Sequence, residues 1–207
     1  AALVWQIQTV DSAGDVGSMN SLVLDSSGNP VISYYDSTNQ DLKLVKCGNA
    51  TCSSGNTIRT LDSAGDVGLN SSLKLDSSGR PVISYYDNTN QDLKLVRCGN
   101  ATCNSGNIIT TVDSDGYMGY YSSLALDSSG NPVIGYFERI DDHNGKLKLV
   151  HCGNASCSSG NTVQTVDSSG NAGIYLSLAL DSSGKPVISY FDANSDALKL
   201  VHCGNAS

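Results

Sequence analysis

The chain has 207 residues, 15% of them charged, and a formal net charge of -8. That acidity excludes the basic surface that nucleic-acid phosphates demand and does not suit docking on anionic membranes. Twenty-one glycines punctuate short apolar runs, none of which nears the roughly 18 residues of a membrane helix, so the composition reads as all-β with turns of Gly, Asn, Asp and Ser.

Taken in chain order, the opening Ala1-Ala2-Leu3-Val4-Trp5 lacks a basic leader and reads as the mature N-terminus of a secreted protein. Asp11-Ser12-Ala13-Gly14-Asp15-Val16-Gly17 then starts a repeat that returns at Asp62, Asp113 and Asp167. Within the first repeat, residues 21–24, 31–35, 42–47 and 57–61 are predicted strands. Residues 25–30, 36–41 and 48–56 carry the turn residues that suit antiparallel hairpins. Pro30, Pro81, Pro132 and Pro186 hold one place in the repeat. The period is about 51 residues, with a short insertion in the polar segment from Glu138 to Gly145, where extra length costs little.

The second strand of each repeat is apolar on both faces and needs cover on both, which stacked blades supply. The expected fold is therefore all-β: a β-propeller of four four-stranded blades of about 51 residues, in one domain spanning 1–207. The blades are placed near 11–61, 62–112, 113–166 and 167–207. Aligned to the repeat, residues 6–10 fall on a fourth strand, whereas the last repeat stops after its third. The N-terminal strand within 1–10 is expected to complete the last blade, either in its own ring or head to tail in a neighbour.

Seven cysteines occupy the repeats. Cys47 and Cys52, Cys98 and Cys103, and Cys152 and Cys157 each frame Cys-Gly-Asn-Ala-(Thr/Ser)-Cys and are expected to pair locally. Zinc is the weaker reading, because Lys46 and Arg97 stand where later repeats have His151 and His202. Cys203 is left unpaired or available for an intermolecular bond, and regular disulfides point to a secreted, extracellular or cell-surface location. Asn49, Asn70, Asn100, Asn154 and Asn205 stand in acceptor sequons for N-linked glycan.

Asp25-Ser26-Ser27-Gly28-Asn29-Pro30 and its three counterparts resemble the Asp-box turn of neuraminidase-like (BNR-like) repeats. The motif departs from that family in having Val31-Ile32 where an aromatic follows. The resemblance implies a propeller in which the Asp and Ser bond their own turn, and it does not carry over the glycosidase activity. In general look the chain is similar to repetitive bacterial cell-surface propellers.

Hydrolysis of a glycoside needs two differently tuned carboxyl groups, and the repeat makes the acids equivalent from blade to blade. No enzyme activity is expected on that ground. The expected function is noncatalytic extracellular recognition or adhesion, with glycan binding through Tyr35 and Asp36, Tyr86 and Asp87, Phe137 and Glu138, and Phe191 and Asp192. Its partner would be a cell-surface glycan or protein, or another copy joined head to tail. Alternatives are a filament subunit built by strand donation and a glycoside hydrolase-like enzyme. No cofactor is expected; the oxygen-rich turns at Asp36, Asn39 and Asp41 and their counterparts have ligands of the kind calcium takes.

Overall fold

A computed structural model describes residues 5–205. Fifteen strands, all in antiparallel sheets, form the described part of the chain. The first sheet contains β1 (Val16–Leu24), β2 (Pro30–Asp36), β3 (Asp41–Lys46) and β4 (Thr57–Asp62). The second contains β5 (Val67–Leu75), β6 (Pro81–Asp87), β7 (Asp92–Arg97) and β8 (Ile108–Asp113). The third contains β9 (Tyr117–Leu126), β10 (Pro132–Arg139), β11 (Gly145–His151) and β12 (Thr162–Asp167). The fourth has three strands, β13 (Ala172–Leu180), β14 (Pro186–Asp192) and β15 (Ala197–His202). Strands follow one another in space as in sequence, and the first strand of each sheet packs against the first strand of the next. The arrangement is propeller-like, and each sheet is a blade.

The core is three repeats of one interface. Val31, Leu42 and Leu44 of blade 1 interdigitate with Leu73, Ile83, Tyr85 and Val96 of blade 2. Val82, Leu93 and Leu95 of blade 2 do the same against Leu124, Ile134, Tyr136 and Val150 of blade 3. Val133, Leu147 and Leu149 of blade 3 meet Leu178, Ile188 and Tyr190 of blade 4. Hydrogen bonds fix the register: the Leu73, Leu124 and Leu178 N–H groups donate to the hydroxyls of Ser21, Ser72 and Ser123 at 3.1, 3.0 and 3.0 Å. Glycine permits the approach. A Cβ on Gly68 would lie 2.7 Å from the Leu42 Cα, and one on Gly119 would lie 2.9 Å from the Leu93 Cα. Both glycines also have positive φ, +101° and +106°.

This stacking explains why strands that differ at one residue, Tyr86 against Phe191, are buried differently. Pro-Val-Ile-Ser-Tyr-Tyr-Asp in β6 is buried along its whole length, because blades cover both faces. The matching β14 alternates between buried and half-buried, because only one face is covered.

Two polar networks recur with the blades. In the first, Asp25 Oδ1 accepts the Ser27 and Asn29 N–H groups, both at 2.9 Å, while Oδ2 takes Lys46 at 2.8 Å. Asp76, Asp127 and Asp181 repeat the turn, with Arg97, His151 and His202 as cationic or imidazole partners. In the second, Asp62 precedes a blade and accepts Tyr85 Oη–H at 2.6 Å and Lys94 Nζ at 2.7 Å. Asp11, Asp113 and Asp167 do likewise toward Tyr34, Tyr136 and Tyr190. Each stitches an incoming segment onto the blade it enters.

All three expected disulfides are formed, Cys47–Cys52, Cys98–Cys103 and Cys152–Cys157, and they suggest an extracellular or secreted protein. Cys203 is free and half-buried. Two expectations about the ends need correction. Residues 5–10 form no strand, with Trp5 and Ile7 exposed, and Leu3 and Val4 lie outside the described residues. The fourth sheet therefore stays at three strands and is not completed by the N-terminal segment. The physical reason is position. Asp11 is tied to Tyr34 and Lys43 of blade 1, and among the described residues the strands of blade 1 are not packed on those of blade 4, where Leu198 and Leu200 are exposed.

Candidate functional site

The expected ligand groups are mostly consumed by packing. Tyr35 is buried and its hydroxyl donates to Asp66 of the next blade at 2.7 Å. Tyr86 is buried with its ring 4.1 Å from that of Tyr120, and Phe137 is buried 6.2 Å from Tyr121. Phe191 is half-buried. Asp36, Asp87 and Asp192 are buried turn acids. Asp36 accepts the Thr38 and Asn39 N–H groups and the Asn39 amide, and lies 3.4 Å from Lys43. Asp87 and Asp192 are engaged in the same way. Internal donors thus fill the oxygens that calcium would need, and the described residues contain no cluster of three or more His, Cys, Asp or Glu side chains fit for a metal.

The sequon asparagines are also engaged. Asn49 Nδ2 donates to Ser53 and Ser54, just after the disulfide loop, while its Oδ1 accepts from Thr51 within the loop and from Ser53. Asn100 and Asn154 repeat the pattern. Asn70 Oδ1 accepts the Tyr121 N–H at 3.4 Å. Asn205 is exposed, and the rest of its sequon lies outside the described residues.

The blades cease to be equivalent at the start of their first strands. Near-constant sequence there gives way to Ser18-Met19-Asn20, Leu69-Asn70-Ser71, Tyr120-Tyr121-Ser122 and Ile174-Tyr175-Leu176. Each segment follows a glycine with positive φ and contains an irregularity in strand pairing. The bulge places Met19, Asn70, Tyr121 and Tyr175 in the left-handed region, with φ between 50° and 54°. Non-glycine residues rarely adopt that conformation, and it re-aims a side chain out of the sheet. All four converge on one open depression of about 270 Å³, together with Asn20, Ser71, Ser122 and Leu176. This is the mouth of the blade array.

A second cleft of about 300 Å³ shares Tyr121 with the mouth and is also lined by Tyr120, Phe137, Arg139, Asp141, Asp142, Asn171 and Ile174. Its aromatic wall is continuous: Tyr121 lies 4.7 Å from Tyr175 edge to face and 6.4 Å from Tyr120. Burial and the neighbouring Tyr175 push the Tyr121 hydroxyl above its ordinary range, so it stays protonated and able to donate.

The insertion in blade 3 supplies the charges. It replaces the tight turn that locks Asp36 and Asp87 with an exposed loop after β10. Glu138, at the Asp36 position, is half-buried and lies 3.8 Å from Lys146 and 3.9 Å from Lys148. Asp141 accepts from Asn144 Nδ2 at 2.9 Å and from the His143 N–H at 2.8 Å, and these bonds hold its carboxyl below the usual range. Asp142 pairs with Arg139. Arg139 is held firmly cationic by Asp142 and Tyr120. Carboxylates in different surroundings, beside a guanidinium and a wall of rings, are the asymmetric set that the repeat alone did not reveal. Of the residues expected from sequence, Phe137 lines this cleft and Glu138 lies on the other face of β10, whereas Tyr120, Tyr121, Tyr175, Arg139, Asp141 and Asp142 carried no expectation. The available signal was where the repeats disagree.

No protein-family model and no curated protein sequence matches the chain. Solved structures do. A protein of unknown function from Dyadobacter fermentans superposes with a TM-score of 0.66 at 9% identity, over 91% of this chain and 65% of that one. An endo-arabinase from Bacteroides thetaiotaomicron matches with a TM-score of 0.54 at 14% identity, over 88% of this chain and 72% of that one. An exo-beta-1,3-galactanase from Phanerochaete chrysosporium matches with a TM-score of 0.57 at 12% identity, over 89% and 48%. The chain thus spans less than two thirds of the Dyadobacter protein and about half of the galactanase. At these identities the likeness establishes a propeller-like fold, and it gives no support to an Asp-box family assignment. It also corrects the expectation of a noncatalytic adhesion module with no enzyme activity. Glycoside hydrolases use this architecture, and the asymmetry whose absence argued against an enzyme is present in blade 3.

Proposed function

We propose that this protein is a secreted carbohydrate-active enzyme of the glycoside hydrolase type, acting at the cleft between blades 3 and 4. One observation carries the reading. Otherwise repeating blades diverge at the mouth, and that divergence brings together Tyr120, Tyr121, Arg139, Asp141 and Asp142, with Tyr175 packed beside Tyr121. Sugar rings present apolar C–H faces that stack on aromatic rings while their hydroxyls bond charged and polar groups. Tyr121 and Tyr175 would bind the ring, and Arg139 would orient it. Asp141, kept ionised by Asn144 and the loop backbone, suits the base or nucleophile. Glu138 of the same blade lies on the opposite face of β10, against Lys146 and Lys148, and takes no role at the cleft.

The arabinan- and galactan-cleaving activities named for proteins of similar shape direct the choice of substrates. Linear arabinan, arabino-oligosaccharides and β-1,3-galactan should be incubated with the protein and the release of reducing ends followed. Cleavage of at least one is expected. Asp141→Asn should lower kcat by about a hundredfold or more with little change in KM, and Tyr175→Ala should raise KM. Binding of these glycans without turnover, or turnover that survives Asp141→Asn, would refute the assignment.

A further inference from the structure

Phe137 of the cleft dictates which residue can follow Asn144. A Cβ on Gly145 would stand in the Phe137 ring, with the Glu138 carbonyl oxygen 2.7 Å from the same point. Only glycine fits there. No other asparagine of the chain precedes a glycine. Asn144 is exposed, and Gly145 is the first residue of β11. The Gly145 N–H donates to the Gly170 carbonyl at 3.2 Å, a long bond at a strand end, where pairing opens most readily.

The Asn144 amide is also held differently from its fellows. Oδ1 of Asn49, Asn100 and Asn154 accepts backbone N–H groups of its own turn. Oδ1 of Asn56, Asn107 and Asn161 accepts the N–H of Gly48, Gly99 and Gly153. Asn144 Oδ1 accepts no hydrogen bond among the described residues, which leaves the side-chain carbonyl carbon open to attack. Its Nδ2 donates to both oxygens of Asp141 at 2.9 Å.

We propose that Asn144 is a self-modification site, where the main-chain nitrogen of Gly145 converts the amide to an acid and so loosens the loop that carries Asp141. A base from solvent removes the Gly145 N–H proton. The nitrogen bonds to Asn144 Cγ, the Cγ–Nδ2 bond breaks, and Nδ2 leaves as ammonia, taking its proton from water. Water then opens the cyclic imide at either carbonyl, which leaves an aspartyl or a β-linked isoaspartyl residue at 144. Nothing is oxidised or reduced. The attack is intramolecular, and glycine puts no side chain in its way. The product bears a carboxylate where Nδ2 donated, so it repels Asp141 instead of holding it. The β-linked form also reroutes the main chain through the former side chain. The Asn144 carbonyl, which accepts the Ile140 and Asp141 N–H groups at 2.9 and 3.2 Å, is thereby displaced from the turn. The modification stands apart from the carbohydrate reading, and only its effect on turnover rests on that reading.

Ageing the intact 207-residue chain in mildly alkaline buffer and mapping its peptides tests the proposal. The peptide bearing Asn144 should gain the mass difference between an amide and an acid, and accept methyl groups from an isoaspartyl methyltransferase. It should do so before the peptides bearing Asn20 or Asn104, which are also exposed but precede serines. Hydrogen exchange at the Ile140 and Asp141 N–H groups should quicken in the aged fraction. Asn144→Gln, whose longer side chain closes a larger ring more slowly, should keep its amide over the same interval. None of these readouts uses a glycan, so a protein that ages as stated but cleaves no sugar would uphold this proposal and sink only the enzyme assignment. An intact Asn144 when Asn20 or Asn104 has reacted, or exchange at 140 and 141 unchanged after conversion, would overturn it.

Discussion

Leu93→Ala and Leu198→Ala change the same position of the repeat in opposite surroundings. Leu93 is 0% exposed, packed between Gly119 and the apolar side chains of blade 3. Removing its three outer carbons leaves a cavity in rigid sheet packing, for which large-to-small core substitutions cost roughly 2–5 kcal/mol. Leu198 is 83% exposed, so the same truncation should change stability by no more than about 0.5 kcal/mol. Urea unfolding followed by circular dichroism, at concentrations where light scattering gives the monomer mass, measures both. The midpoint should fall sharply for Leu93→Ala and stay within error for Leu198→Ala. Equal losses would show that blade 4 is covered in the monomer and that the open-ended stack is wrong.

Acid should destabilise the fold in a defined window. Bonds from Tyr34 and Lys43 hold Asp11 down to about 2, and Asp167 also lies at about 2, because Ser169, Tyr190 and Lys199 outweigh its burial. Both values lie below the unfolded value of about 3.9, so their contribution is complete above that pH and disappears as pH falls toward 2. The melting temperature should be level near neutrality and drop between roughly pH 4 and 2, with a shallower drop in Asp11→Asn. Replacing Cys152 and Cys157 together by Ser should cost about 2 kcal/mol on the loop-entropy model, read from the urea midpoint. Tyr136→Phe, which strips Asp113 of a buried donor, should cost roughly 1–2 kcal/mol in the same assay, whereas Tyr117→Phe at an exposed position should cost almost nothing.

The repeat was legible because turn chemistry recurs: the Asp25 and Pro30 positions and the paired cysteines mark each hairpin without reference to tertiary structure. The first strands were predicted too short, starting at residue 21 where the structure starts at Val16. Met19 and Tyr121 carry no signal of their own type for the left-handed bulge, which recurs in all four blades two residues after a glycine with positive φ. Residues 6–10 have the right pattern for a fourth strand, but pairing also requires β15 within reach, and that depends on how far the blade array turns. The cleft escaped notice because the argument from repetition weighed what the blades share. Its chemistry lies in what they do not, at Tyr120, Tyr121, Tyr175 and the loop bearing Asp141.

The most direct test of the carbohydrate site is a crystal structure of the Asp141→Asn variant soaked with an arabino- or galacto-oligosaccharide. The account predicts a sugar ring stacked on Tyr121 and Tyr175, with its hydroxyls toward Arg139 and position 141. Sugar bound elsewhere on the blades, or an empty cleft at saturating ligand, would contradict it.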